Sequence, residues 1–196
     1  MKILKTTTKY ILTAAVLLSL SVIAFSQTKY SAKAVNMSVS GTSTMHDWVM
    51  KSTAGDCSAT FTVDATGKVT DLSAMTLTVS SKALKSGKDA MDKNAYKALK
   101  ADKNPSITAT LKSAEVTTKD NKTYTIKSVI KLTIAGKTLE TDLITTAKKV
   151  NDTSISVKGE KKLSMKEYGM EPPSFMLGAV KTGNDVVLAF DVTLNQ

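Results

Sequence analysis

Apolar and polar residues alternate along most of the chain from Val35 onward, which is the pattern of β-strands with one buried face. The clearest run lies at the C-terminus, and its apolar positions are Val186, Leu188, Phe190, Val192 and Leu194. The same period of two recurs over residues 35–39, 57–63, 75–79, 107–111, 124–134 and 155–157. The pattern therefore predicts an all-β domain.

Short turn signals separate these runs, at residues 64–67, 119–122, 135–137 and 151–152. About eight strands at such spacing, without a βαβ rhythm, indicate a single antiparallel sheet that is closed on itself or folded into a sandwich. Closure removes the exposed edges that so many Thr-rich strands would otherwise present. We therefore expect a β-barrel.

One segment departs from this pattern and predicts a single amphipathic helix over residues 89–101. Met91, Ala95, Ala98 and Leu99 fall at helical spacing, and the opposite face is polar, with Asp92, Lys93, Lys97 and Lys100. The Asn104-Pro105 pair ends the helix, because proline disfavours the helical conformation in the residue before it. We expect the helix to lie across a barrel mouth or against the barrel wall and to bury Met91, Leu99 and Tyr96.

A second irregular stretch runs from Met165 to Gly183 and reads as a long loop. It is unusually apolar for a loop. Its large side chains should bury either against the barrel wall, as a plug, or against a ligand; they are Met165, Met170, Phe175, Met176 and Leu177.

Residues 1–26 have the layout of a secretory signal peptide. Lys2, Lys5 and Lys9 precede an apolar run from Ile11 to Phe25, which is followed by small residues. We expect cleavage after Ser26 and export to the periplasm, which leaves residues 27–196 as one barrel domain.

The charge of the chain suggests few partners. The formal net charge is +10, and all 27 basic residues are lysine; the three in the signal leave +7 for residues 27–196. The absence of arginine argues against nucleic acid, because arginine supplies most bidentate base and phosphate contacts. Scattered lysines favour a solvated surface, with transient contact to a membrane surface as an open possibility.

The sequence offers little that resembles a catalytic or metal site. His46 is the only histidine and Cys57 the only cysteine, so neither a tetrahedral metal site nor an intrachain disulfide is expected. We expect Cys57 to face inward as an inert thiol. Trp48 should plug the barrel end or line its pocket, with His46 and Asp47 forming local hydrogen bonds there.

Three segments together resemble the YceI-like family, and most closely its members in Bacteroidota: Gly41–Trp48, Met91–Leu111, and Tyr168–Pro173 followed by the last strand. They occur in the family's order and span nearly the whole chain after residue 26. The resemblance implies an exported, lipocalin-like barrel that holds a polyisoprenoid or similar long-chain amphiphile in its interior, without catalysis and without a cofactor.

A chain leaving water gains about 0.8 kcal/mol per buried CH₂, so an apolar interior alone could hold such a ligand. The predicted lipid-binding residues are Phe61, Met75, Leu77, Ile107, Leu111, Ile130, Leu132, Leu188 and Phe190, with Met91, Tyr96 and Met176 near the mouth. We expect a monomer or a homodimer. The alternative function is that of an envelope stress or interaction protein with a solidly packed barrel. A lipid-directed enzyme with His46 as its base is the least favoured hypothesis.

Overall fold

The alternating segments form long antiparallel strands, most of them joined by tight turns. The computed structural model describes residues 26–196, except for the side chain of Met176; the predicted signal peptide, apart from Ser26, lies outside the described residues. The strands are β1 (Ser26–Ser43), β2 (Trp48–Val63), β3 (Val69–Ser80), β4 (Ser106–Thr118), β5 (Thr123–Ile134), β6 (Lys137–Asn151), β7 (Ser154–Ser164), β8 (Ser174–Phe175) and β9 (Val180–Asn195).

Eight of these strands close a barrel. Each strand from β1 to β7 pairs with the next, β7 pairs with β9, and β9 returns to pair with β1. The two-residue β8 adds to one end of β9. This architecture confirms the predicted antiparallel, lipocalin-like barrel and rules out the sandwich, because the β1–β9 pairing leaves one continuous sheet.

The single α-helix of the described residues, α1, spans Asp89–Ala98 and lies between β3 and β4. It ends three residues earlier than predicted, because Lys100 adopts a left-handed backbone conformation with a φ of 50°. Short 3₁₀ turns cover Ser81–Ala83, Lys166–Tyr168 and Met176–Gly178. No helix within residues 26–196 is long and apolar enough to span a bilayer.

The two ends of the barrel differ. At one end, here called the hairpin end, the β2–β3, β4–β5 and β6–β7 turns meet, and the rings of Tyr30 and Phe61 pack edge to face with centroids 5.7 Å apart. Tyr124 is fully buried there, and its hydroxyl donates to the backbone oxygen of Asn121. The other end, here called the helix end, carries α1 and residues 165–180. Aromatic packing therefore fills the hairpin end.

The barrel wall separates at one place near the helix end. β6 and β7 pair from Thr145 to Asn151 and from Ser154 to Gly159, but over residues 137–144 the structure pairs β6 with β5 only. The separation starts at Gly159, where an added Cβ would lie 2.8 Å from both the Phe190 ring and the Thr145 methyl group. Because glycine has no side chain, the Phe190 ring lies directly against the backbone at the point of separation.

Two expectations about local structure are wrong. Asp92, placed on the solvent face of the helix, is buried, because its carboxylate accepts hydrogen bonds from the backbone and side chain of Ser86. The stretch from Met165 to Gly183 is not a loop throughout: β9 begins at Val180, where its first residues pair with β8 and with the end of β1.

Candidate functional site

A large cavity of about 580 Å³ lies at the helix end of the barrel. Apolar side chains from α1, from the start of β2 and from residues 163–180 form most of its wall. Prominent among them are Trp48, Met50, Met91, Leu99, Tyr168 and Met170. Its volume falls within the roughly 300–1,000 Å³ of typical small-molecule sites.

A second, smaller cavity of about 90 Å³ lies deeper in the barrel. Met37, Phe61, Met75, Leu77, Ile130 and Phe190 contribute to its wall. Ile107 and Leu188 line both cavities, so the two meet at these side chains. Together the two adjoining cavities define an apolar path, partitioned at Ile107 and Leu188, from the helix end into the interior.

The helix α1 is held over the large cavity by the segment that precedes it. Lys85 forms a reciprocal pair of backbone hydrogen bonds with Lys51 of β2, both 2.8 Å long. The Tyr96 hydroxyl lies 3.0 Å from the backbone oxygens of both Lys82 and Leu84. These contacts fix α1 to the barrel wall, with Met91 and Ala95 lining the cavity.

Asp92 fixes the start of the same helix. Its carboxylate accepts the Ser86 hydroxyl at 2.7 Å and the Ser86 amide at 2.8 Å, and the Lys85 ammonium lies 3.6 Å away. The Ser86 hydrogen bonds, helped by the charge of Lys85, hold the pKa of the Asp92 carboxyl below its usual range. The carboxylate is therefore ionised at neutral pH and anchors residues 85–88.

Trp48 forms another part of the wall, so of the two predicted roles the structure gives it the pocket-lining one. Its indole N–H donates to the backbone oxygen of Thr42 at 3.0 Å. The ring lies against Gly41, where an added Cβ would come within 2.5 Å of it. Only glycine at position 41 allows the indole to lie this close to β1.

Residues 165–170 form another part of the cavity wall. Met165, Tyr168 and Met170 are buried and line it. The Lys100 ammonium at the end of α1 donates to the Gly169 backbone oxygen at 3.0 Å, which joins the two segments. The expectation for Leu177 is wrong, since its side chain is fully exposed.

The structure brings nine of the twelve predicted lipid-binding residues to the two cavities: Phe61, Met75, Leu77, Met91, Ile107, Ile130, Leu132, Leu188 and Phe190. Tyr96 and Leu111 do not line them, because Tyr96 contacts the segment before α1 and Leu111 packs within the core. The Met176 side chain lies outside the described residues. The lipid-binding role of these residues stays a prediction.

The sequence analysis did not assign several wall residues to the site, among them Met50, Leu84, Leu163 and Val186. Period-two alternation places Met50 in phase with Trp48 at the start of β2, and this signal could have found it. In the same way, Leu163 is in phase with the inward-facing positions of β7.

His46 and Cys57 have the environments that the sequence predicted. The exposed His46 ring donates its Nδ1–H to the Asp47 backbone oxygen, 2.7 Å away, and the Ser43 hydroxyl contacts the backbone of Met45 and His46 and not the His46 ring. Cys57 is buried against the small cavity, and burial raises the pKa of its thiol to about 11. Within residues 26–196, no three His, Cys, Asp or Glu side chains come together as a metal site.

The fold and its apolar interior define a lipocalin-like β-barrel with a cavity that opens at the helix end. A YceI-like domain matches residues 22–194, so the chain belongs to the YceI-like family. No protein of curated function matches its sequence. The origin of the protein in Bacteroidota stays a prediction.

Solved structures share the fold at low sequence identity. BcnA of Burkholderia cenocepacia has a TM-score of 0.63 and 14% identity, over 81% of this chain and 95% of that one. A polyisoprenoid-binding domain from Saccharophagus degradans, implicated in plant cell wall breakdown, has a TM-score of 0.58 and 12% identity, over 89% and 99%. The Campylobacter jejuni YceI protein has a TM-score of 0.54 and 21% identity, over 72% and 84%.

Proposed function

We propose that the protein binds one long-chain apolar lipid, polyisoprenoid-like or fatty-acyl, inside the barrel, and that it sequesters or carries this lipid in the periplasm without catalysis. The observation that carries the proposal is the apolar path formed by the two cavities, of about 580 and 90 Å³. Family membership and the fold shared with a polyisoprenoid-binding domain support it.

The shape of the path favours a linear ligand. An eight-stranded barrel is about the smallest that can hold one ligand, and the interior here narrows from the helix end toward Phe61 and the hairpin end. An apolar chain would enter past Ile107 and Leu188, and each buried CH₂ would contribute about 0.8 kcal/mol before ordering costs.

The polar end of such a ligand would remain at the helix end. The few polar residues that line the large cavity include Ser43, His46, Lys88 and Asn94, which lie at the end of β1, in the loop after it, just before α1 and within α1. Among the described residues of that wall, Lys88 is the only lysine and none carries a carboxylate side chain. A head group that accepts hydrogen bonds or carries negative charge would fit this composition.

Mass spectrometry tests the proposal directly. The full-length chain is expressed in a bacterial host, purified from the periplasm without detergent, and measured under native and denaturing conditions. We expect a discrete additional mass that is lost on denaturation and is extracted into organic solvent. As a control, the protein is delipidated, refolded and offered polyprenyl and fatty-acyl probes.

A bare polypeptide that also fails to take up both kinds of probe would contradict the proposal. The packed-barrel alternative, an envelope interaction protein, would then be favoured.

A further inference from the structure

Two of the most exposed apolar side chains of the described surface lie beside the opening of the large cavity. The Met45 side chain is 68% exposed and that of Leu177 is fully exposed. Water-exposed side chains of this size contribute nothing to the core, and single ones are common on protein surfaces. Two that lie on adjoining loops at the entrance of an apolar cavity need a different explanation.

Hydrogen bonds hold the two loops that carry them side by side. The Thr44 amide donates to the Lys181 backbone oxygen at 3.0 Å, and the Lys181 amide donates to the Thr44 hydroxyl oxygen at 3.2 Å. Met45 follows Thr44 directly, and Leu177 lies four residues before Lys181. We call Met45 and Leu177 the rim patch.

The rim patch is continuous with the cavity wall. Met45 itself lines the large cavity, as do Phe175 and Val180 on either side of Leu177. Leu177 also has a φ of 55°, a left-handed conformation that is costly for a leucine. No packing within the described residues compensates this cost, because the side chain is fully exposed.

We propose that the rim patch docks the open end of the barrel on the surface of a lipid bilayer, with Met45 and Leu177 entering the interfacial region. The inference rests on the proposed function, since a lipid ligand resides in a bilayer before it is bound. Docking at the rim would align the cavity opening with the bilayer and would let an apolar chain pass between them without crossing water.

The charges around the rim indicate which force dominates. On the two segments that carry the patch, Lys181 is accompanied by Asp47 and Glu171, and all three are exposed. Because the two signs nearly balance, the apolar side chains must supply the specific part of the attraction. Docking should therefore occur on zwitterionic as well as anionic vesicles, and should persist at physiological salt.

The test compares the rim patch with a matched pair of exposed apolar residues on β6. The rim variant is Met45→Ser/Leu177→Asn, in which asparagine tolerates the left-handed conformation. The control variant is Ile144→Thr/Val150→Thr, at positions that are 61% and 58% exposed. Protein purified from the periplasm, with removal of the N-terminal segment checked by intact mass, is floated with phosphatidylcholine vesicles, alone or mixed with phosphatidylglycerol.

We expect the rim variant to lose at least about tenfold in vesicle binding on both kinds of vesicle, and the control variant to bind like the wild type. Equal binding by the two variants would overturn the proposal. So would wild-type self-association that the rim variant loses, without binding of the wild type to vesicles, because the patch would then serve a second copy of the chain.

A label gives an answer even if the double rim variant fails to fold. A nitrobenzoxadiazole group on Leu177→Cys should brighten with vesicles, whereas the same group on Ile144→Cys should not. The native Cys57 is buried and has a pKa of about 11, so it will not compete for the reagent. A Leu177 label that stays dark would contradict docking.

The lipid co-purified with each variant is measured separately, so that a failure of docking is distinguished from a failure of lipid binding.

Discussion

The Lys161 ammonium donates a hydrogen bond of 2.6 Å to the backbone oxygen of Asp142, across the place where β6 and β7 separate. Lys161 alternates with Gly159 and Leu163 and so occupies an inward-facing position of β7. It also lines the small cavity. The free edge of β6 beside it explains a lysine in this apolar position. Its ammonium binds a carbonyl of β6 that has no hydrogen-bond partner on β7.

We predict that Lys161→Met lowers the free energy of unfolding by about 1 kcal/mol, the usual net contribution of one such hydrogen bond. Methionine retains the apolar stem but cannot donate. Urea denaturation measures the loss. Lys162→Met is the matched control: its ammonium lies 3.7 Å from the exposed Asp185 carboxylate, and we expect little change there. Equal losses in the two variants would contradict this role of Lys161.

Period-two alternation predicted most of the barrel, because the burial of every second side chain is a requirement that acts within each strand. Along β5, every second residue from Tyr124 to Ile134 is buried, as the pattern indicated. β1 extends back to Ser26, beyond the point where alternation begins, because Tyr30 packs against Phe61 from the next strand. β6 was hard to recognise, since its inward positions include Thr145 and Ala147 as well as leucine.

The site was harder to predict than the fold, because its features depend on contacts between distant segments. The separation of β6 and β7 after Gly159 follows from strand pairing that no local pattern encodes. The burial of Asp92 depends on a hydrogen bond to Ser86, whereas hydropathy assigns every carboxylate to solvent. The residue types that line a cavity also fill a core, so the sequence could not separate a hollow barrel from a filled one.

Cys57 gives a prediction about pH. The buried thiol has a pKa of about 11, against an ordinary value of 9.0. The folded state therefore keeps this proton between pH 9 and 11 while the unfolded chain loses it, so the contribution to stability is complete below pH 9 and is lost as the pH rises toward 11. We expect the difference in unfolding free energy between wild type and Cys57→Ala to shrink by about 2 kcal/mol over that interval.

The comparison with Cys57→Ala is essential, because lysines also titrate near pH 10 in both proteins. At pH 8, roughly one folded molecule in a thousand carries the thiolate at a pKa of about 11, so a thiol reagent should react slowly until urea unfolds the protein. Rapid native-state labelling would show that the thiol is accessible and would contradict both expectations.

Asp92 should stabilise the start of α1 at neutral pH and lose this effect in acid. Its pKa lies below the ordinary value of 3.8, so its contribution is complete above about pH 5 and disappears as the pH falls through the lowered value. We expect Asp92→Asn to lower the unfolding free energy by about 1 kcal/mol at pH 7, because an amide accepts the two Ser86 hydrogen bonds less strongly.

The same comparison at pH 3 should show a smaller difference between Asp92→Asn and the wild type. Asp89→Asn is the control, since Asp89 is exposed in the same helical turn; we expect a change of about 0.5 kcal/mol or less. A pH-independent cost of Asp92→Asn would mean that packing, and not the charge, makes Asp92 important.

A substitution at Ala95 separates a hollow barrel from a filled one. Ala95 lies on α1 and lines the large cavity, whereas Ala74 on β3 is exposed. In a filled interior, Ala95→Phe would overpack the core and lower the unfolding free energy by about 1–3 kcal/mol. In the hollow interior described here, the ring has space, so the delipidated variant should unfold within about 1 kcal/mol of the wild type. It should also co-purify with at least about tenfold less lipid, which corresponds to a loss of ~1.4 kcal/mol of binding free energy.

Ala74→Phe is the control and should change neither the stability nor the amount of lipid. A destabilised Ala95→Phe that still carries its lipid would contradict the assignment of this cavity as the binding site.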